Sequence, residues 1–253
     1  MEKLGNLLFE LSSEERMTIL TNLSKEPLKL SHLAQRQDMT VTETSRHLQR
    51  LTDAELITKD FEGLHRITPY GRLILSLIPS LGFVSENRAY FQEHDTSALP
   101  PEFVARLGEL SSFTFNEDTI TNLVHHMKIL EESEEYCWTA ANQFHLGSPP
   151  LIPEALKREV DLRTILPAEV TPPPGFKPAE GVQRRTIPGF NMVIIVSEKE
   201  AVLGLPYLSG KMDHAQYFST DPAFLKWCRD LFLYYWDRAK PMLGTSLGPP
   251  GGA

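Results

Sequence analysis

A chain of 253 residues with 41% hydrophobic content, 15 glycines and 19 prolines has an ordinary globular composition. That excludes collagenous, fibrous and wholly disordered chains, and the length suffices for one large or two modest cores. The two cysteines, Cys137 and Cys228, exclude a disulfide framework and cysteine-rich zinc modules and point to a reducing compartment, so no metal or cofactor is expected. A formal net charge of −8, from 25 Lys and Arg against 33 Asp and Glu, speaks against a broadly basic nucleic-acid binder.

The N-terminus, MEKLGNLLFELSSEER, meets charged residues at once and has no apolar core of signal-peptide length. The longest nearly uncharged stretch, LILSLIPSLGFV over 73–84, is about half of the roughly 20 residues a bilayer span needs. No membrane segment is expected, and the chain is expected in the cytoplasm.

Helical periodicity dominates the first 95 residues, and short β-branched runs separated by turns take over beyond about residue 135. Ser12 or Ser13 before Glu14 and Glu15 opens a helix with Met17, Ile19, Leu20 and Leu23 inward, which must stop by Pro27. Ser31 is the expected N-cap of a short helix through about Gln37, with Leu33 and Ala34 inward. After a tight turn at Asp38–Thr40, a third helix runs from about Thr42 to Ala54, with Thr44, Leu48 and Leu51 on one face. Its other face carries Thr42, Glu43, Ser45, Arg46, Gln49 and Arg50. Two β-prone runs, Leu56–Lys59 and His65–Thr68, flank a turn at Asp60–Leu64. This order spells a winged helix-turn-helix, whose recognition helix enters the major groove.

The segment MTVTETSRHLQRLTDAELITKD with the following HRITPYGR resembles the recognition helix and wing of ArsR- and MarR-like winged-helix repressors. At Glu55 such repressors often carry glycine, which tolerates the left-handed conformation at a helix end. The resemblance implies double-stranded DNA as partner, with Thr42, Ser45, Arg46, Gln49 and Arg50 on the helix and His65 and Arg66 on the wing as contacts. The chemistry suits it: hydroxyls reach phosphates, an amide pairs with adenine, and a guanidinium pairs with guanine or phosphate. Glu43 adds an unhelpful negative charge. A merely solvated polar face is the plainer alternative.

A long amphipathic stretch from Arg72 to His94 carries more apolar surface than a small winged domain can bury, so a homodimer is expected, with Pro79 bending or breaking the helix. The resulting division is a DNA-binding domain over 1–70, a linking helix over 71–95, a C-terminal α/β domain over 96–242 and an unfolded tail over 243–253. The fold class is thus α+β. In the C-terminal half, helices are expected near 101–110, 117–132, 153–158 and 222–239. Strands are expected over 136–141, 160–166, 182–187, 190–197 and 201–205, with a proline-rich loop, PAEVTPPPGFKP, between the second and third.

The run FNMVIIVSEKEAVLGLPYLSGKMDHAQYFSTDPAFLKWCRDLFLYYWDRAKP resembles the C-terminal region of archaeal regulators of the methanogenesis-regulatory, FilR-like type. There a winged helix precedes an effector-type domain related to phospholipase D-like folds. The implied function is a transcription regulator sensing a small-molecule effector. Trp138, Arg163, Arg184, Arg185, His214, Tyr217 and Trp227 suit an anionic or aromatic ligand, although each is individually more at home in a core or on a solvated surface. No catalytic residues are expected. The one HxK, His126-Met127-Lys128, has Ser133 where phospholipase D chemistry needs an aspartate, and no second copy exists. A protein-interaction module with a silent winged helix is the alternative, and a phosphodiester-acting enzyme the third.

Overall fold

The computed structural model describes residues 2–143, 150–171 and 179–242. The expected tail and most of the proline-rich loop lie outside these residues. The chain divides into two compact units, residues 1–79 and 80–253.

The first unit holds α1 (Glu2–Leu11), α2 (Glu14–Lys25), β1 (Leu28–Lys29), α3 (Leu30–Arg36), α4 (Val41–Asp53), β2 (Ile57–Lys59), β3 (Leu64–Ile67) and the start of α5 (Pro69–Glu86). Ser13 caps α2 by accepting from the Arg16 N–H. The N-cap of α3 is Lys29 rather than Ser31, because Leu28 and Lys29 are drawn into a strand and the helix begins two residues early. The three short strands pair antiparallel in the order β1-β3-β2. Ile19, Leu20, Leu23, Leu28, Leu33, Leu48, Leu51, Leu56, Ile57 and Ile67 form one core, which is the winged arrangement that the periodicity implies.

Two chain reversals in this unit have the same construction. Asp38 after α3 and Glu55 after α4 adopt φ of 51° and 60°. The next residue then donates back into the helix, Met39 N–H to the Ala34 carbonyl and Leu56 N–H to that of Leu51, both at 3.0 Å. These are Schellman closures at helix C-termini. Glu55 therefore takes the left-handed conformation that glycine would take, and the helix end keeps its geometry.

The chain then turns into α5 through Thr68-Pro69-Tyr70-Gly71. The Thr68 hydroxyl accepts from the Gly71 N–H at 2.9 Å and donates to the Glu55 carbonyl at 2.8 Å. Pro69 occupies the first helical position, where no N–H is missed. A Cβ on Gly71 would lie 2.2 Å from the Leu56 carbonyl oxygen, so only glycine lets the helix start against the end of α4. Helix α5 runs unbroken through Pro79. The expected break lies instead at Asn87, whose side-chain amide donates to the Phe83 carbonyl at 2.8 Å before α6 (Arg88–Glu93) begins.

The second unit is built on an eight-stranded mixed sheet. Its further elements are α7 (Pro101–Val104), a 3-10 turn at Leu107–Leu110, β4 (Thr114–Asn116), α8 (Thr119–Glu132), β5 (Tyr136–Ala140), α9 (Ile152–Lys157), β6 (Asp161–Pro167), β7 (Gln183–Ile187), β8 (Val193–Ser197), β9 (Ala201–Gly204), β10 (Gln216–Ser219), α10 (Pro222–Arg238) and β11 (Lys240–Pro241). The strand order is β11-β7-β6-β5-β8-β9-β10-β4, with β5, β6 and β7 mutually parallel.

Strand alternation divides the side chains between two cores. Trp138, Ile165, Ile194, Val196, Leu203 and Tyr217 meet Phe224, Trp227, Leu231, Phe232 and Trp236 of α10. Cys137, Leu162, Val193, Ile195 and Val202 meet Ile129 and Leu130 of α8 and Ala155 of α9. Helices on both faces of a mixed sheet, beside a mainly helical winged unit, make the protein α+β.

Candidate nucleic-acid interface

Helix α4 is fixed at both ends. Thr40 caps it, its hydroxyl accepting from the Glu43 N–H at 3.2 Å, while the Glu43 carboxylate accepts from the Thr40 N–H at 3.0 Å and the Thr40 hydroxyl at 2.7 Å. This capping box gives Glu43 a purpose that its charge alone does not suggest. The Thr40 hydroxyl, then its backbone N–H, hold the Glu43 carboxyl below its usual range. The leading amides of α4 are thus partly occupied, and what the helix offers outward is its side chains.

Thr44, Leu48 and Leu51 are buried, as their spacing predicts. Thr42, Ser45, Arg46 and Gln49 are exposed on the other side. Thr42, Ser45 and Arg46 make no side-chain hydrogen bond or ion pair among the described residues. Gln49 donates to the Asp53 carboxylate at 2.7 Å, one turn along the surface.

Two of the seven expected DNA contacts, Arg50 and His65, are placed differently from the rest. Arg50 is held by both oxygens of Glu10 on α1, at 2.8 and 2.7 Å, with its guanidinium 4.9 Å from the Phe9 ring centre. Arg16 reaches the same turn, donating to the carbonyls of Glu10 and Phe9 at 2.6 and 2.8 Å. Arg50 is therefore a clasp for α1: it stays on the exposed face, and what is corrected is its freedom there. The Arg50 hydrogen bond leads the causes that hold the Glu10 carboxyl below its usual range.

His65 is also corrected. It lies in the central strand β3, opposite Leu28 and Lys59, and is buried. Burial first, and then the Lys59 charge, push its pKa down, so the ring is neutral and faces inward with Ile67. Period-two alternation requires this: if Ile67 points inward, so does His65. Arg66 points out and donates from Nε to Asp60 at 3.0 Å.

Sequence reasoning took the wing tip for a plain turn. The Asp60 carboxylate accepts from the N–H groups of Glu62 and Leu64 at 3.0 and 2.9 Å, and Gly63 supplies φ of 81°. Phe61 stands on this turn almost wholly exposed. The signal was present in the sequence as an aromatic residue where turn chemistry asks for a small polar one.

The residues expected to bind an effector do not converge. On the α10 face of the sheet, Trp138 donates from its indole to Asp161 at 3.0 Å, and Asp161 pairs with Arg163 at 2.9 Å. The Arg163 guanidinium lies 4.5 Å from the Trp138 ring centre and 5.5 Å from that of Trp236. Arg185 lies 4.4 Å from the same Trp236 ring and donates to its carbonyl at 2.7 Å. Arg184, next along β7, faces the other way and is buried, donating to the carbonyls of Ala179 and Val182 at 3.0 and 3.1 Å. Burial lowers its pKa.

Tyr217 sits among Phe83, Tyr90, Phe113 and Phe115, its hydroxyl donating to Asn87 at 3.0 Å, and burial raises its pKa. The His214 carbonyl accepts from Asn122 at 2.7 Å. Trp227 is fully buried, with its indole on the Phe103 carbonyl at 3.2 Å. A single ligand cannot touch both faces of the sheet and the core, so the set does not form one pocket. The HxK residues lie on α8, where His126 is bonded to Gln216 at 2.6 Å and Lys128 is exposed beside Glu132.

No protein-family profile matches the chain, and no curated protein matches it in sequence. Among solved structures it is similar to TrmBL2, an archaeal chromatin protein, at 14% identity and a TM-score of 0.44, over 88% of this chain and 92% of that one. It is similar to NucT from Helicobacter pylori at 10% identity and 0.42, over 52% and 100%. The phospholipase D family member Nuc from Salmonella typhimurium aligns at 11% and 0.35, over 47% and 89%. At these identities and scores the likeness reaches neither activity nor partner. Among the described residues, no helix is long and apolar enough to cross a membrane, and no cluster of His, Cys, Asp and Glu could hold a metal ion.

Proposed function

We propose that the first unit binds double-stranded DNA with α4 in the major groove, and that the chain is a dimeric, cytoplasmic transcription regulator of the ArsR-like or FilR-like kind. The observation that carries this reading is the outer face of α4. It presents Thr42, Ser45, Arg46 and Gln49 from a helix capped at both ends, and Arg46 makes no side-chain hydrogen bond or ion pair among the described residues. Lys59 and Arg66 supply charge from the wing.

Affinity then depends on a specific site, because so few cations give weak non-specific binding and a shallow salt dependence. Support for the dimer comes from α5, where Tyr70, Leu73, Leu77, Leu81 and Val84 recur every three or four residues and all remain exposed. Such a stripe suits a second copy across a two-fold axis. The regulatory half is assigned to the second unit, with no effector placed at the dispersed residues above. Catalysis is not part of this reading, since His126 is engaged inside the fold away from Lys128.

A gel shift with the DNA upstream of the encoding gene tests the reading directly. Arg46→Ala is expected to weaken specific binding by about 1–3 kcal/mol with its melting temperature unchanged; an unaltered affinity removes α4 as the recognition helix. Leu77→Glu is expected to yield monomers by light scattering, and wild-type monomers at micromolar concentration would remove the dimer. The alternative, an interaction module with a silent winged helix, is favoured by the acidic residues Glu43, Asp53, Glu55 and Glu62 near the same face, and predicts no shift with any duplex.

A further inference from the structure

Phe61 is 98% exposed, more than any other large apolar side chain among the described residues. Single exposed apolar residues are common on protein surfaces, but this one stands on a braced platform. Asp60 holds the turn through two backbone N–H groups and the Arg66 Nε, and the Gly63 N–H donates to the Asp60 carbonyl at 3.1 Å. The ring is thus presented from an ordered tip, which keeps the cost of fixing it on binding small. Nothing in the turn itself requires an aromatic residue.

The charges below the tip indicate what it meets. Lys59 pairs in register with His65 and so shares the inner face of the hairpin, while Arg66 leaves from the outer face. One cation therefore flanks the tip on each side, as a sugar–phosphate wall flanks each side of anything entering the minor groove. Glu62, next in sequence and exposed, carries a charge that DNA repels, so any attraction at the tip itself falls to the apolar ring. Proteins that enter this groove use apolar wedges between base steps, phenylalanine among them.

We propose that Phe61 is such a wedge: resting on the DNA-binding reading above, it enters the minor groove next to the site read by α4 and partly unstacks one base step. The contact releases no counterion, so it adds affinity without adding salt dependence.

The test uses the full chain and the duplex that the wild-type protein enriches from a random 25-base-pair pool, with 2-aminopurine placed at successive positions. Wild-type protein is expected to raise the fluorescence at one step beside the α4 footprint. Phe61→Ala should bind roughly tenfold more weakly, lose that signal and keep both the melting temperature and the salt slope, and Phe61→Trp should restore binding and signal. Arg66→Ala, by contrast, should lower the salt slope. If Phe61→Ala binds as tightly as wild type with the same fluorescence, the wedge is wrong although the DNA reading stands, and the ring belongs to a protein contact or to none. If the wild type enriches no duplex, the DNA reading falls and the wedge with it.

Discussion

The two units alike engage most of their arginines within the fold, and Arg46 of the first is an exception. In the second, Arg163, Arg184 and Arg185 are tied down by indole rings, a carboxylate and backbone carbonyls. Arg106 is held there between Glu109 and Asp230 at 2.7 and 2.9 Å. In the first, Arg46 faces solvent from a fixed helix, while Arg50, four residues on, is spent on Glu10. Residue type and exposure alone do not separate Arg46 from Arg50, since both are exposed. What separates them is whether the fold already supplies an acceptor, and a side chain without one is available to a ligand.

The largest effect expected from breaking this contrast comes from Trp236→Ala. It removes the ring that seats both Arg163 and Arg185 and leaves a cavity in the core of the second unit, at a cost of about 3–5 kcal/mol. Chemical denaturation followed by tyrosine and tryptophan fluorescence should show the second unit melting earlier while operator binding at low temperature persists.

Next comes Gly71→Ala, which places a methyl group against the Leu56 carbonyl and should destabilise the first unit by about 2–3 kcal/mol. Binding should then weaken equally for all duplexes, because the frame of α4 is lost rather than a base contact. The smallest effect sharpens the comparison most. Glu10→Gln frees Arg50, and should lower the melting temperature by about 2 °C at neutral pH while strengthening non-specific DNA binding and steepening its salt dependence.

The pH dependence of that pair has a definite sign. The Glu10 carboxyl is held below its ordinary value of 4.5, so its stabilisation is complete above that value and is lost as pH falls through the lowered one. Wild-type and Glu10→Gln melting temperatures should differ at pH 7 and converge on acidification. A constant difference down to pH 3 would show that the glutamate acts through packing instead.

The order of helices and strands around the winged core was legible in the sequence because each buried face repeats with one period. Thr44, Leu48 and Leu51 are an example, whereas β8 and β9 of the second unit are legible as runs buried throughout. β4 and β10 are not, because three or four residues carry too short a pattern, and β10 contributes Tyr217 to the core next to the polar Gln216. Helix α1 is equally hard to read: Leu4, Leu8 and Phe9 remain exposed, Leu7 and Leu11 alone pack against the core, and Glu10 pairs with Arg16 and Arg50.

At the candidate site, the outward positions of α4 followed from helical spacing. The commitment of Arg50 did not, because its partner lies forty residues away in sequence. His65 differs: its chemistry suits a wing contact, but the alternation that Ile67 fixes turns it inward. The arginine and tryptophan residues of the second unit stack on one another from strands and a helix far apart in sequence, which residue types alone do not show.

The junction at Thr68 has a consequence for time rather than for structure. The Leu56 N–H is bonded to the Leu51 carbonyl, the Thr68 N–H to the Leu56 carbonyl, and the Gly71 N–H to the Thr68 hydroxyl. These three amides belong to the end of α4, the root of the wing and the start of α5, and each bond depends on the next. In hydrogen–deuterium exchange they should open at one common rate, since the helix cannot fray at that end without letting go of the wing. Wherever α5 is pulled, α4 and the wing therefore travel as one piece.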